Sequence, residues 1–384
     1  MKEQVSKCSC AKVIHHGPGA LSRLDEEIRK LNGSRVALVT DPGLVEAGVV
    51  GRVLDCTKTE LLVYQGVRPD PPYEVVHRCV DFLKENGCDL VIGLGGGSSM
   101  DVAKMAAVMI ANVGRVSDYW GVDRIPQPGL PVIAIPTTAG TGSEVSPAAV
   151  FVDPSDEAKK GVRSDFLLPE VAILDPVLTL GLPQLLTAST GMDALVHALE
   201  AYTSTKATLM SDAMAEQAIA VIGNNLRAAY ARGNSLPART NMLLGSLLAG
   251  MALGEAGVGA VHALAHVLGG RHGVGHGVAN ALFLPYVMAF NRIGCRERYA
   301  KVASLLGERV EGLSLDRASL AAVEAVRTLS HDLGIPQRLS DLSIPEDSLD
   351  LMAETSMQTQ GRILANNPRV VSLSDAKRIL REAY

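Results

Sequence analysis

Four side chains, Asp193, His197, His262 and His276, have the types and spacing to hold a divalent metal. Asp193 and His197 lie four residues apart, so a helix places them on one face. Four of the nine histidines (262, 266, 272 and 276) crowd into residues 262–276. One carboxylate and three imidazoles make a donor set suited to iron(II) or zinc, and nitrogen and oxygen ligands do not choose between the two. A lone histidine on an apolar face is usually a packed core residue; it is the clustering that favours metal. Thr190 stands where it would cap the helix carrying TGMDALVHALEAY (190–202). His276 sits in GVGHG, a glycine-flanked segment able to turn back to a metal. His266 shares a helical face with His262 and is a candidate proton carrier. His272 could support a ligand or simply pack.

A second chemistry is written in GLGGGSSMDVAK (93–104), which follows an apolar run and opens a helical pattern. Gly95, Gly96 and Gly97 let backbone approach a pyrophosphate, and amides at the helix start face its charge. Ser98 and Asp101 have capping-box spacing, which predicts that they fix that start. The rival reading is a tight strand–helix turn that binds nothing. The G-x-G-x-x-G spacing is absent and the loop follows the third strand, so the ribose-binding acid is not sought about twenty residues downstream. Asp41, ending the strand 35–40, is the candidate instead. A carboxylate there bonds a ribose hydroxyl and repels a 2′-phosphate, favouring NAD over NADP. A turn-forming aspartate before Pro42 explains it equally well. The loop PTTAGTGSE (136–144) adds the hydroxyls of Thr137, Thr138 and Thr141 at another strand end.

These residues need a scaffold. Apolar runs at 35–41, 60–67, 88–97, 130–140 and 171–176, with a helical pattern at 73–86, predict a mostly parallel sheet covered on both faces. Beyond residue 183 the periodicity is helical, at 191–204, 208–231, 237–254 and 315–333. The chain of 384 residues is thus expected to form two domains. An α/β domain spans 1–184, an all-α domain spans 185–384, and the break falls in the DP and LP turns at 175–183. Composition (47% hydrophobic, 20% charged) fits a soluble enzyme, and a net charge of −5 without a basic block argues against nucleic acid. Six scattered cysteines suggest free thiols in a reducing cytoplasm. No apolar segment follows MKEQVSKCSCAKVIHH, so no signal peptide is expected. The apolar stretch 243–270 carries Glu255, His262 and His266 and reads as packed helices, not a membrane span.

Taken in order, GGGSSMDVAK, PTTAGTGSE, TGMDALVHALEAY, VHALAHVLGG, GHGVANALFLP and the NPR at 367–369 resemble the iron-containing (group III) alcohol dehydrogenase family over essentially the whole chain. The resemblance implies a dinucleotide-binding α/β domain followed by a helical domain, a dehydroquinate synthase-like architecture, with the site in the cleft between them. It implies an NAD(P) cofactor and a divalent metal, usually iron and sometimes zinc. By motif position it makes Asp193, His197, His262 and His276 the metal ligands. Gly97 and Ser98 become pyrophosphate contacts, Thr137–Thr141 cofactor contacts, and Asp41 the NAD-selecting residue. Lys159 stands near the nicotinamide, with Lys160 one register away. His266 and His276 fall at the reacting centre, His266 on a proton path.

The chain departs from the family pattern at Val267 and Gly275, where prolines are usual, and at Asp70, where asparagine is common. QGRILAN (360–366) replaces a segment that often contains cysteine. The expected reaction is reversible hydride transfer between NAD and a short primary alcohol or aldehyde. The rival readings are a dehydroquinate synthase-like lyase, which recycles its NAD, and a metal-dependent hydrolase without a nucleotide. Arg271 or Arg362 would suit an anionic substrate tail; surface ion pairs are the simpler reading of both. The family also implies a homodimer or higher homo-oligomer, with a strand near 11–16 as a candidate for pairing across chains.

Overall fold

A computed structural model describes residues 7–155 and 158–384. Residues 1–6, part of the polar start that bears on a signal peptide, lie outside the described residues. Two compact units divide near residue 180, one of them Ser9–Leu180 and the other containing Gly181–Tyr384.

The first unit is built on a six-stranded parallel sheet. Its strands are β1 (Val13–His16), β2 (Val36–Val39), β3 (Leu61–Tyr64), β4 (Leu90–Gly95), β6 (Val132–Pro136) and β9 (Val171–Leu174). Their order across the sheet is β1-β9-β6-β4-β2-β3. β2, β4, β6 and β9 are buried at every position, as expected of strands covered on both faces. The two-residue period divides them: Ala37 and Val39 enter one core, Val36 and Leu38 the other. β4 crosses to the far side of β2 from β3, so the strand order reverses between β2 and β4. That is the switch point where ligands gather at the carboxyl ends of such sheets. The residues after β2, β4 and β6 are Asp41, the glycine run and the threonine loop.

Four expected strands lie where the apolar runs at 35–41, 60–67, 88–97 and 130–140 place them, and β9 falls inside 171–176. A smaller sheet was not foreseen. β7 (Ala148–Asp153) and β8 (Ala158–Arg163) form an antiparallel pair, and β5 (Gly121–Val122) joins β8. The N-terminal strand pairs within the chain, parallel to β9 at the sheet edge, leaving only its outer side for another chain.

In Gly181–Tyr384 no strand occurs among the described residues. Helices Leu209–Ala231 and Leu315–Asp332 begin at side-chain caps, Thr208 and Ser314. One expectation fails. The ligand-bearing helix runs Gln184–Thr203 from Pro183, so Thr190 lies inside it and bonds Leu186 O (2.7 Å) without capping anything. The apolar stretch 243–270 is broken: Leu236–Ala256 and Ala260–His272 meet at 102°. No single described helix is long and apolar enough to cross a membrane.

Candidate functional site

The helical unit brings the four expected ligands together. Asp193 and His197 project from helix Gln184–Thr203, His262 from Ala260–His272, and His276 begins His276–Asn291. One donor atom from each lies within 4.8 Å of the others. Asp193 Oδ1 is 3.9 Å from His197 Nε2, 4.0 Å from His262 Nε2 and 3.7 Å from His276 Nε2. His276 is no flexible tether; it is the first residue of a helix. Asp193, His197 and His262 are buried. Burial pushes the His262 imidazole down to about 3, helped by His197 and opposed by Asp193, so the ring is neutral, as a ligand must be.

The donor set itself tests the fit to a cation. Asn280, fully buried, directs Nδ2 to Asp193 Oδ1 (2.6 Å) and faces His262 Nε2 and His276 Nε2 at 3.1 Å each. An amide has two hydrogens, and three acceptors converge on it. Its own Oδ1 is buried without a partner. Lone pairs gathered among mostly buried side chains, beyond what one amide satisfies, call for a positive charge.

Other groups surround the cluster. His262 Nδ1 lies 2.6 Å from Glu200 Oε2, a buried carboxyl that burial raises to about 7 against opposing hydrogen bonds from the backbone at 259 and 261. Sequence reasoning missed Glu200 and Asn280, although the spacing marks both. Asp193, His197 and Glu200 stand at i, i+4 and i+7 on one helical face, and Asn280 is four residues past His276. His266 stacks on His276 with ring centroids 5.5 Å apart, and its Nδ1 is 3.3 Å from Gln360 Oε1. His272 Nε2 is buried without a partner. Arg271 and Arg362 are exposed, with no acidic partner in salt-bridge reach among the described residues.

In the α/β unit, Gly96 caps helix Gly97–Met109 without any side-chain bond, so the first-turn amides keep their donors. The expected Ser98–Asp101 capping box is not formed. Asp101 instead accepts from Ser143 Oγ (2.5 Å), Val150 N (2.9 Å) and Lys104 Nζ (3.0 Å). Lys104, buried and not singled out from the sequence, also donates to Ser143 O, Ser143 Oγ and Ala148 O. This charged knot ties the glycine helix to the threonine loop. A Cβ on Gly97 would sit 2.9 Å from Thr141 Cγ2, and one on Gly96 3.5 Å from Thr138 Oγ1, so the two loops abut. Gly95, at φ +149°, accepts from Thr137 N (3.0 Å). The Thr138 hydroxyl, buried and without a partner among the described residues, lies beside Gly96 of the glycine run. Asp41 Oδ1 caps the next helix through Leu44 N (3.1 Å), and Oδ2 reaches Ser99 Oγ at 3.5 Å across the switch point. Lys159 is buried and paired with Asp70 (2.7 Å); Lys160 pairs with Asp153 (2.7 Å). First-turn amides with no side-chain cap and the Thr138 hydroxyl beside them fit a pyrophosphate.

Residues 11–176 match the model of the iron-containing alcohol dehydrogenases, and residues 187–384 match the C-terminal model of the Fe-containing alcohol dehydrogenase family. A long-chain-alcohol dehydrogenase of Geobacillus thermodenitrificans is 42% identical over 376 residues, 96% of this chain and 94% of that one. An NAD-dependent methanol dehydrogenase of Bacillus methanolicus is 37% identical over 370 residues, 96% of this chain and 97% of that one. The crystal structure of a 1,3-propanediol oxidoreductase superposes with a TM-score of 0.96 at 39% identity, covering 99% of this chain and 100% of that one. With a matching donor set in its helical unit, the chain belongs to the iron-containing alcohol dehydrogenase family of oxidoreductases.

Proposed function

We propose that the protein transfers a hydride reversibly between NAD(H) and a short primary alcohol or aldehyde. The observation that carries this reading is the convergence of Asp193, His197, His262 and His276 in a member of this family. The division of labour follows the sequence: residues 1–184 bind NAD and residues 185–384 hold the metal. A divalent cation held by the four ligands, iron(II) before zinc, supplies Lewis acidity toward the substrate oxygen. NAD(H) supplies or accepts the hydride.

The chain's own residues do the rest. The first-turn amides at Gly97 and Ser98 and the Thr137, Thr138 and Thr141 loop bind the cofactor phosphates. Asp41 receives a ribose hydroxyl and disfavours a 2′-phosphate, so NADP is the poorer cofactor. Lys159, neutralised by Asp70, flanks the nicotinamide end. His266 moves the alcohol proton toward solvent, with Gln360 orienting its ring, and His276 serves both as ligand and as a wall of the reacting centre. The enzyme works in the cytoplasm, as its described cysteines, all free thiols, suit, and as a homodimer or higher homo-oligomer.

The substrate is open. The three relatives named above carry three substrate names at 37–42% identity. Arg271 and Arg362, exposed and without an acidic partner among the described residues, suit an anionic tail, and Arg362→Ala would then weaken anionic aldehydes more than neutral ones. The deciding test is His262→Ala with iron supplied. Loss of both bound metal and alcohol-dependent NADH formation is expected; full metal content with full turnover refutes the reading. Net NADH formation also separates this function from a dehydroquinate synthase-like lyase, which returns its NAD unchanged.

A further inference from the structure

We infer that Glu200 is a positioning residue that sets the tautomer and aim of His262 toward the metal, an inference resting on the ligand reading above. Two bonds carry it. Glu200 Oε2 lies 2.6 Å from His262 Nδ1, and Oε1 accepts from Val261 N at 2.7 Å. The carboxylate thus grips a ring and the backbone amide one residue before it. An imidazole donating from Nδ1 has its lone pair on Nε2, the atom that faces Asp193 and Asn280 in the donor cluster. A histidine ligand whose second nitrogen is anchored this way holds its orientation and is the more basic.

The surroundings are shaped to the clamp. Glu200 comes from the helix that already supplies Asp193 and His197, so one rigid element aims three of the four ligands. At the break before the His262 helix, a Cβ on Gly259 would lie 3.2 Å from Glu200 Oε1 and 3.1 Å from Asn367 Oδ1. Glycine leaves room for the carboxylate to reach both donors. No neutral isostere does the same. Glutamine offers one acceptor oxygen where two donors wait, so it either turns an NH2 toward Val261 N or turns one toward His262 Nδ1. The second choice moves the ring proton to Nε2 and blocks the ligand atom.

The test compares Glu200→Gln, Glu200→Asp and His262→Ala with the wild type. Zn(II) affinity is read by competition with a chromophoric chelator, and folding by circular dichroism of the metal-free proteins. Glu200→Gln should bind Zn(II) about 10- to 100-fold more weakly with an unchanged spectrum. Glu200→Asp, which keeps two acceptors, should recover part of the loss. Wild-type affinity in Glu200→Gln beside a loss in His262→Ala overturns the clamp and leaves the ligand assignment standing. Wild-type affinity in His262→Ala overturns both. A second measurement needs no variant of Glu200. In zinc-loaded protein labelled with 15N-histidine, His262, identified by its absence from His262→Ala, should carry a solvent-protected proton on Nδ1. A proton on Nε2 overturns the inference.

Discussion

Replacing Gly277 by alanine should damage metal binding without touching a ligand. Gly277 follows His276 in the first turn of helix His276–Asn291. A Cβ there would lie 2.5 Å from Ser189 O and 2.8 Å from Ser189 C, main-chain atoms of the helix that carries Asp193 and His197. A helical carbonyl cannot swing aside as a flexible side chain would. Ordinary contacts begin at 3.4 Å, so the two helices must part by about 0.9 Å at this point. Metal–ligand distances tolerate about ±0.2 Å. His276 is one residue from the contact and Asp193 is four residues from Ser189, so the displacement falls beside the candidate ligands. Overpacking of this kind costs about 1–3 kcal/mol. Urea unfolding of the metal-free variant should show that loss, and chelator competition should separately show iron(II) or zinc affinity lower by about tenfold or more, as when a ligand loses the support that orients it. Gly275→Ala is the control. Its Cβ meets nothing within 4 Å, so affinity should hold and stability change by no more than about 1 kcal/mol. Wild-type metal affinity in Gly277→Ala, whatever its stability, refutes the claim that this backbone contact sets the ligand geometry.

Three further outcomes are expected. Gly275 has φ −55°, a value proline adopts, and its amide donates to no backbone carbonyl among the described residues. Gly275→Pro should therefore raise stability by about 0.4–1 kcal/mol in thermal unfolding, through the unfolded chain. Lys104→Met leaves Asp101 and four carbonyl or hydroxyl partners without their shared cation, so unfolding stability should drop by about 3–5 kcal/mol and calorimetric NAD affinity should fall with it. The Asp153 carboxyl, which burial would raise, is instead held at about 2 by Lys160 and Ser155. A depressed folded value contributes stability above the unfolded value of 3.8 and loses it as pH falls toward 2. The melting difference between wild type and Asp153→Asn should be full at pH 5, much reduced at pH 2 and gone about one pH unit lower.

The sheet was legible because buried parallel strands must be apolar on both faces, and β2, β4, β6 and β9 are. The β7–β8 pair was not, because its second strand reads AKKGVR and owes its conformation to its partner, not to an apolar run. Local capping rules failed twice, each time for its own reason. Thr190 and the Ser98–Asp101 pair both have cap spacing, but the first helix starts earlier, at Pro183, and tertiary donors on Ser143, Val150 and Lys104 claim Asp101. The candidate ligands, which the structure brings together, stood out by residue type and crowding. Glu200 and Asn280 carry a spacing signal too, but on an apolar helix the role of an acid or amide shows only through its partner.

What orders the ligands is therefore spread well beyond them. The NPR segment shows how far. Asn367 and Asn291 exchange two hydrogen bonds, of 3.0 and 2.7 Å, and Asn367 Oδ1 also faces Ala260 N at 3.3 Å. Ala260 opens the helix that carries His262, and Asn291 ends the helix that His276 begins. Asn367, about a hundred residues along the chain from either ligand, thus pins one end of both helices. Its other bond, from Nδ2 to Arg369 O (2.6 Å), fixes the turn that presents it. A side chain with both a donor and an acceptor is required, because one oxygen receives two protons while one nitrogen gives two. Aspartate keeps the oxygen and loses the donor. That asymmetry explains in physical terms why an asparagine so far from the donor cluster belongs to the same motif set as the ligands.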